Sequence, residues 1–324
     1  MSADVVRIAT RGSELALRQA RQVQAALERA GARAELVTFT TVGDRRLDEP
    51  LRAIGAKGLF THELEAALLA GEVDCCVHSL KDLPTESPAG LGVVALLPRE
   101  DPRDVLVVRA GLGARSLAEL PRGARVGTSS LRRRAQLLAL RPDVEVRELR
   151  GNVPTRLRKV DAGEVDAAVL AAAGLHRLDA RDRISAYLDA PEWLPAAGQG
   201  AIAVQARVDA RGLPADDVAR RLAALDDPST LRADGAERAL LAALDGGCQV
   251  PIGALAQPND DGVLVLHAVV AALDGTRAVR ASRALGEDPE AGARALAREV
   301  LERGGAEILG AARGAVPFPA PQPE

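Results

Sequence analysis

Ala70-Gly71-Glu72-Val73-Asp74 runs into Cys75-Cys76-Val77, and Ala162-Gly163-Glu164-Val165-Asp166 runs into Ala167-Ala168-Val169-Leu170. Each copy ends a predicted helix and enters an apolar strand. The upstream elements match in the same order. Val5 to Ala9 reads as a strand, followed by the loop Thr10-Arg11-Gly12-Ser13 and a helix. Its counterpart is Val126-Gly127, then Thr128-Ser129-Ser130, then a second helix. Ala16, Ala20, Val23 and Leu27 form one predicted stripe on the first helix, which Gly31 stops. Leu131, Leu137, Leu138 and Leu140 are the apolar set of the second. Agreement in order predicts two duplicated α/β lobes with a cleft between them. Strand–loop–helix turns place backbone N–H groups and helix N-termini at strand ends, which suits anions.

The last third differs. A helix is expected from about Ser229 to Leu244, then strands Val263 to Ala271 and Ala278 to Ala284 around an Asp274-Gly275 turn. Asp288-Pro289 caps a closing helix to about Leu301. This is a small α+β domain, and the proline-rich stretch 314–324 reads as a disordered tail.

Composition bounds the class. The 324 residues are 47% hydrophobic and 27% charged, ordinary values for a globular protein of two or three domains. No apolar run reaches membrane-span length, and MSADVVRIAT lacks a signal pattern, so a cytoplasmic location is expected. Three cysteines cannot make a disulfide framework. A net charge of −3 provides no global field for nucleic acid.

Lysine occurs only at 57, 81 and 159, and the other 39 of the 42 basic residues are arginine. Lys57 and Lys81 sit in glycine-rich or polar motifs, whereas Lys159 lies on a plain helix face. Arg132 and Arg133 open a helix, where cations oppose the dipole. Together with Arg150, Arg156 and Arg177 they collect near strand ends, which is costly unless an anion is bound there. Carboxylate suits guanidinium best. Phosphate is the rival, although no GxxxxGK[ST] loop occurs. Lys81 and Asp82 follow the strand in Val77-His78-Ser79-Leu80-Lys81-Asp82-Leu83-Pro84, a place for chemistry, although a weak surface ion pair has the same spacing. The four histidines show no metal spacing, and Cys75 and Cys76 read as buried strand residues. Cys248, in Gly246-Gly247-Cys248-Gln249-Val250-Pro251, follows a helix end with little apolar cover. It reads either as an idle loop thiol or as one that must be reached from outside.

These residues carry a resemblance. Arg7 through Ser13, Gly55-Ala56-Lys57-Gly58-Leu59-Phe60, Val77 to Pro84, Arg99 to Asp104, Val126 to Arg133, Leu149 to Val153, Gly198-Gln199-Gly200-Ala201 and Gly246 to Gly253 resemble the hydroxymethylbilane synthases, or porphobilinogen deaminases. The resemblance implies two periplasmic-binding-protein-like α/β lobes plus a small α+β C-terminal domain. Lobe 1 would span 1–100 with 199–218, lobe 2 104–194, and a cofactor-attachment domain 223–313. It implies a monomeric cytoplasmic transferase joining four porphobilinogen molecules head to tail into hydroxymethylbilane, with loss of ammonia. It implies a dipyrromethane cofactor on a thioether to Cys248, and no metal. Asp82 and Lys81 become the catalytic pair. The cofactor would meet Lys81, Asp82, Thr128, Ser129, Ser130, Arg132, Arg133 and Arg150. Substrate would meet Arg11, Ser13, Lys57, Arg150, Arg156, Arg177 and Gln199.

The chain departs from the family pattern at Ala53, where a lysine is frequent, and at Pro154, where glycine is common. The chemistry agrees with the arginines, because each substrate ring brings an acetate and a propionate. Two other classes fit part of the pattern. A non-catalytic anion binder would use the lobes and arginines but not the thiol loop. A nucleic-acid binder would use Arg132-Arg133-Arg134, against the net charge and with only five Phe, Tyr and Trp residues.

Overall fold

The computed structural model describes residues 5–41, 61–246 and 250–314. By internal contacts the chain divides into two compact units, Met1–Asp101 with Gly198–Asp234, and Pro102–Ala197 with Gly235–Glu324.

In the first unit, strands β1 (Val6–Arg11), β2 (Ala34–Phe39), β3 (Cys75–Ser79) and β4 (Leu91–Leu96) come from the N-terminal segment. The second unit holds β5 (Asp104–Val108), β6 (Arg125–Gly127), β7 (Glu145–Arg147), β8 (Ala167–Ala171) and β9 (Ala186–Leu188). The chain then returns β10 (Ile202–Arg207) to the first unit. The sheet orders are β2-β1-β3-β10-β4 and β7-β6-β8-β5-β9. In each, two strands run parallel to the first strand of the repeat. The fourth strand is antiparallel and comes from outside the repeat.

Both sheets are covered on both faces, so their inner strands β3, β5, β8 and β10 are almost continuously buried, while the edge strands β2 and β7 are not. Ile8 and Cys75 pack with Val23 and Leu27 of α1 (Glu14–Arg29). Their neighbours Ala9 and Cys76 point the other way, onto Leu64 and Leu68 of α2 (His62–Leu69). In the second unit Val126 and Val169 meet Leu137 of α3 (Leu131–Leu140). Ala168 and Leu170 face Leu157 and Val160 of α4 (Val153–Asp161) and Leu175 of α5 (Ala172–Arg177).

The sequence repeat is a structural staple. Arg7, at the start of β1, directs its N–H, Nε and Nη2 at Asp74 and Nη2 at Gly71 O. Arg125, at the start of β6, does the same to Asp166 and Gly163 O. A further arginine joins each, Arg207 at 3.8 Å from Asp74 and Arg109 at 3.5 Å from Asp166. Gly71 and Gly163, at φ 74° and 75°, turn the helix end into the strand in the left-handed conformation that glycine tolerates. Hydrogen bonds from Arg125, then its charge and that of Arg109, hold the Asp166 carboxyl below its ordinary range against burial. A depressed folded-state value gives stability that is present above the ordinary carboxylate range and lost as pH falls through the folded value. Asp166→Asn is therefore expected to cost about 1–3 kcal/mol at neutral pH and less in acid. Urea midpoints at several pH values check this; an equal loss at every pH would contradict it.

Helices α6 (Asp217–Ala223) and α7 (Pro228–Ala243) lead to the antiparallel sheet β11 (Ile252–Pro258), β12 (Leu264–Ala271) and β13 (Ala278–Ala284), with α8 (Pro289–Val300) and α9 (Ala306–Gly314). Asp288 caps α8 by accepting from Ala291 N. Leu255, Val269 and Ala271 of this sheet pack on Ala135 of α3 and on Leu194. The expected α/β class, with two sheet-containing lobes and a small C-terminal α+β part, is thus present.

Several elements differ from expectation in detail. Ala16 is only half-buried, and Gln19 takes the inner position on α1 because its Nε2 donates to Ser79 Oγ. On α3 the outward residues include Leu140, while Arg132, Arg133 and Gln136 turn inward. The expected 314–324 tail lies, apart from Gly314, outside the described residues.

Candidate functional site

In the first unit the groups singled out by sequence lie at the carboxyl ends of the parallel strands β1 and β3. Arg11 ends β1, and Ser13 caps α1 by accepting from Ala16 N at 3.3 Å. β3 ends at Ser79 and passes into a 3-10 turn, Leu80–Asp82. Leu80 is buried and its N–H donates to Ala201 O at 3.1 Å. That anchors the turn while Asp82 projects to the exposed side. Lys81 Nζ donates to Gln199 Oε1 at 3.2 Å. Gln199 is fully buried, and its carbonyl accepts from Arg99 Nε at 2.9 Å. Arg99 in turn pairs with buried Asp234 at 2.8 Å.

Gly200 is indispensable to this clamp. Its φ is 97°, and a Cβ there would lie 2.3 Å from Glu100 O. Gly200→Ala is expected to cost about 1–3 kcal/mol from backbone strain alone and to displace Gln199 from Lys81. A lowered melting temperature with reduced turnover checks this; a fully stable, fully active variant would contradict it.

Behind the turn lies a polar ladder that the sequence did not reveal. His78 Nε2 meets Gln205 Oε1 at 3.2 Å, Gln205 Nε2 donates to Glu65 Oε1 at 3.0 Å, and Thr61 donates to Glu65 Oε2. The Glu65 carboxylate only accepts, so Gln205 offers its oxygen to His78 and the proton sits on His78 Nε2. Burial, outweighing the Gln205 hydrogen bond, pushes His78 down to about 4. It is neutral at physiological pH and serves the core. Cys75 and Cys76 are buried, with thiols pushed up chiefly by burial.

The second unit repeats the plan. β6 ends in the loop Thr128-Ser129-Ser130, and Ser130 caps α3 by accepting from Arg133 N. Thr128 Oγ1 accepts from Ser130 N, and Ser129 Oγ donates to Leu149 O, which ties this loop to the one after β7. There Arg150 sits 3.6 Å from Glu148, Asn152 caps α4, Pro154 occupies its first turn, and Arg156 Nε donates to Gly151 O at 2.8 Å. Arg177 ends α5, the helix after β8, and is buried. Thr128, Ser129, Ser130, Arg150, Arg156 and Arg177 therefore share the carboxyl edge of one sheet.

Arg132 and Arg133 have a partner that sequence reasoning missed. Both converge on Asp104, the fully buried first residue of β5. Arg132 Nη1 donates to Asp104 Oδ2 at 2.6 Å, and Arg133 Nε and Nη2 donate to Oδ1 at 3.1 and 2.7 Å. Trp193 Nε1 donates to Oδ2 at 2.8 Å. Burial opposes the carboxylate, but the two guanidinium charges win and hold Asp104 far below the carboxylate range. Arg132 is pushed down by burial first, with the charge of Arg133 adding and Asp104 opposing. Asp104 stays ionised. Arg134 Nε donates to Leu273 O at 3.2 Å, so the arginine run serves the interior of this unit rather than forming a basic stripe.

Lys57 and Cys248 lie outside the described residues. Among the described residues no group of His, Cys, Asp and Glu could hold a metal ion, and no helix is long and apolar enough to cross a membrane.

The fold and these groups define an α/β protein that presents cationic and hydroxyl donors at equivalent strand ends of two sheets. The family model described as porphobilinogen deaminase, dipyromethane cofactor binding domain, matches residues 6–214, and that of the porphobilinogen deaminase C-terminal domain matches 233–303. A porphobilinogen deaminase of Syntrophobacter fumaroxidans is 50% identical over 311 residues, 95% of this chain and 96% of the relative. One of Moorella thermoacetica is 52% identical over 307 residues, 94% and 95% of the two chains. Among solved structures, a nutrient binding protein from Burkholderia cenocepacia bound to methionine aligns with a TM-score of 0.43 at 15% identity, covering 70% of this chain and 93% of that one. The chain belongs to the porphobilinogen deaminase family.

Proposed function

We infer that the chain joins four porphobilinogen molecules head to tail into hydroxymethylbilane, releasing ammonia, in tetrapyrrole biosynthesis. The observation that carries this is the match to both domains of the family, with the loops Thr10 to Ser13, Val77 to Pro84 and Val126 to Arg133 lying at strand ends. The chain acts in the cytoplasm as a monomer, and 223–313 is its cofactor-attachment domain.

The donor set fits a dipyrromethane cofactor. Such a group carries several carboxylates, and the loops after β6, β7 and β8 offer Thr128, Ser129, Ser130, Arg150, Arg156 and Arg177. A carboxylate, Asp82, stands exposed at the end of β3 for a pyrrole N–H. Cys248 would hold the cofactor by a thioether. Its attachment would supply an S–C bond in place of the aminomethyl C–N bond of porphobilinogen, with ammonia carrying off the thiol proton. When bound, the group supplies a nucleophilic terminal pyrrole on which the chain grows.

Arg11, Ser13, Lys57, Arg150, Arg156, Arg177 and Gln199 are the substrate residues in this account. Lys81, Thr128, Ser129, Ser130, Arg132, Arg133 and Arg150 hold the cofactor together with Asp82. Because Gln199 is buried, it acts on substrate through Lys81. Loss of ammonia turns incoming porphobilinogen into a methylene cation. Asp82 accepts a hydrogen bond from the pyrrole N–H and stabilises that charge. The arginines bind the acetates and propionates and exclude a neutral ligand. No hydride or nucleotide is required.

Purified protein supplied with porphobilinogen should release ammonia and yield a product that loses water and closes to a porphyrinogen in acid, which air then oxidises to a porphyrin. Binding of porphobilinogen without ammonia release would identify a non-catalytic anion binder instead.

A further inference from the structure

The cluster at the start of α3 contains more positive charge than its partner can neutralise. Arg132 and Arg133 bring two charges, and Asp104 is the one carboxylate among the described residues with which either forms an ion pair. All three are buried, which makes the imbalance costly. The N-terminus of α3 adds its own positive end at the same place. A guanidinium has five N–H groups. Arg132 uses Nη1 alone, for Asp104 Oδ2 and Leu194 O. Arg133 uses Nε and Nη2 for Asp104 and Nη1 for Val169 O. Within the described residues Nε and Nη2 of Arg132 make no hydrogen bond. Asp104 is also fixed by its strand: it pairs with Ala171 of β8 on one side and Leu188 of β9 on the other, and its Oδ2 accepts from Trp193 Nε1.

We propose that Asp104, held by Trp193, is a positioning residue for the Arg132–Arg133 pair: it fixes both guanidinium groups and leaves their spare N–H groups and one net positive charge for a carboxylate of the pyrrole ligand. The proposal rests on the function inferred above. One carboxylate oxygen serves each arginine, so the pair is oriented as a unit. The residual charge then favours a carboxylate-bearing ligand over a neutral one.

Asp104→Asn removes the charge that orients the pair, and Trp193→Phe removes one hydrogen bond while keeping an aromatic ring in the core. Apoprotein of each, made in cells that lack porphobilinogen, would be given porphobilinogen at a temperature where circular dichroism shows it folded. Intact mass then follows the rate of covalent loading. The expected result is loading at least about tenfold slower for Asp104→Asn, and slower by a smaller factor for Trp193→Phe. In loaded enzyme KM should rise more than kcat falls. If Asp104 acted only through its charge, Asp104→Asn would load faster, because the cluster would become more positive. If it served only the fold, both variants would load normally while folded. Either result overturns the proposal, and Trp193→Phe decides the matter should Asp104→Asn not fold. Wild-type protein that takes up no adduct would instead overturn the inferred function itself, so the two failures are distinct.

Discussion

Asp82→Asn is expected to slow ammonia release about 30- to 1,000-fold, a loss of roughly 2–4 kcal/mol in the chemical step. A unit charge pair at ~4 Å in an effective dielectric of ~20 is worth about 4 kcal/mol. Solvation of exposed Asp82 offsets part of that before reaction. The asparagine keeps the size and much of the hydrogen bonding but lacks the charge. Binding should survive better than turnover, because in the proposed assignment Arg11, Arg150, Arg156 and Arg177, rather than Asp82, would hold the carboxylates of the substrate. Single-turnover kinetics on cofactor-loaded enzyme separate the two. Near-normal ammonia release would remove Asp82 from the chemistry and leave Lys81, which donates to Gln199, or a ligand carboxylate as the candidate.

Asp104→Ala is expected to be the most destabilising single substitution in the second unit, by about 3–5 kcal/mol. It leaves Arg132 and Arg133 buried side by side without their counter-charge and strands the Trp193 indole N–H. The sign of the pH dependence follows from the depressed folded-state value of Asp104. The contribution is fully present above the ordinary carboxylate range and is lost only in strong acid. Urea unfolding followed by Trp193 fluorescence measures it, since the chain has one tryptophan. A loss below about 1 kcal/mol, the range of a surface pair, would show that the cluster does not stabilise the unit.

Much of the fold was legible because its signals are local. The Ala-Gly-Glu-Val-Asp repeat combines a helix stop with an apolar strand, and both copies do in space what they do in sequence. Asp288 announces the start of α8 and caps it, and Ser13, Ser130 and Asn152 do the same for α1, α3 and α4 without having been read as caps in the sequence. The arginine staples to Asp74 and Asp166 were not legible, since each joins residues from different elements. The return of β10 between β3 and β4 came from family resemblance alone; its apolar run carries no mark of its partners.

The candidate site was legible as residue types but not as geometry. Arg132 and Arg133 at a helix start correctly signalled an unbalanced charge. The sequence assigned the missing anion to a ligand, whereas Asp104 supplies the first part of it from 28 residues away. The burial of Gln199 and its hydrogen bond to Lys81 were not legible in the sequence, since the two residues are 118 positions apart. Leu131 and Leu137 of α3 are buried as apolar residues should be, but its inner face also takes Arg132, Arg133 and Gln136, which reach carbonyls or Asp104.

Intact mass of the purified protein, before and after limiting porphobilinogen, tests growth of a pyrrole chain on the protein most directly. The expected result is one covalent dipyrrole on the resting chain, a ladder of further pyrrole additions on exposure to substrate, and none of these in Cys248→Ser. A wild-type protein that remains at its unmodified mass throughout, or a Cys248→Ser variant that still carries the ladder, would contradict it.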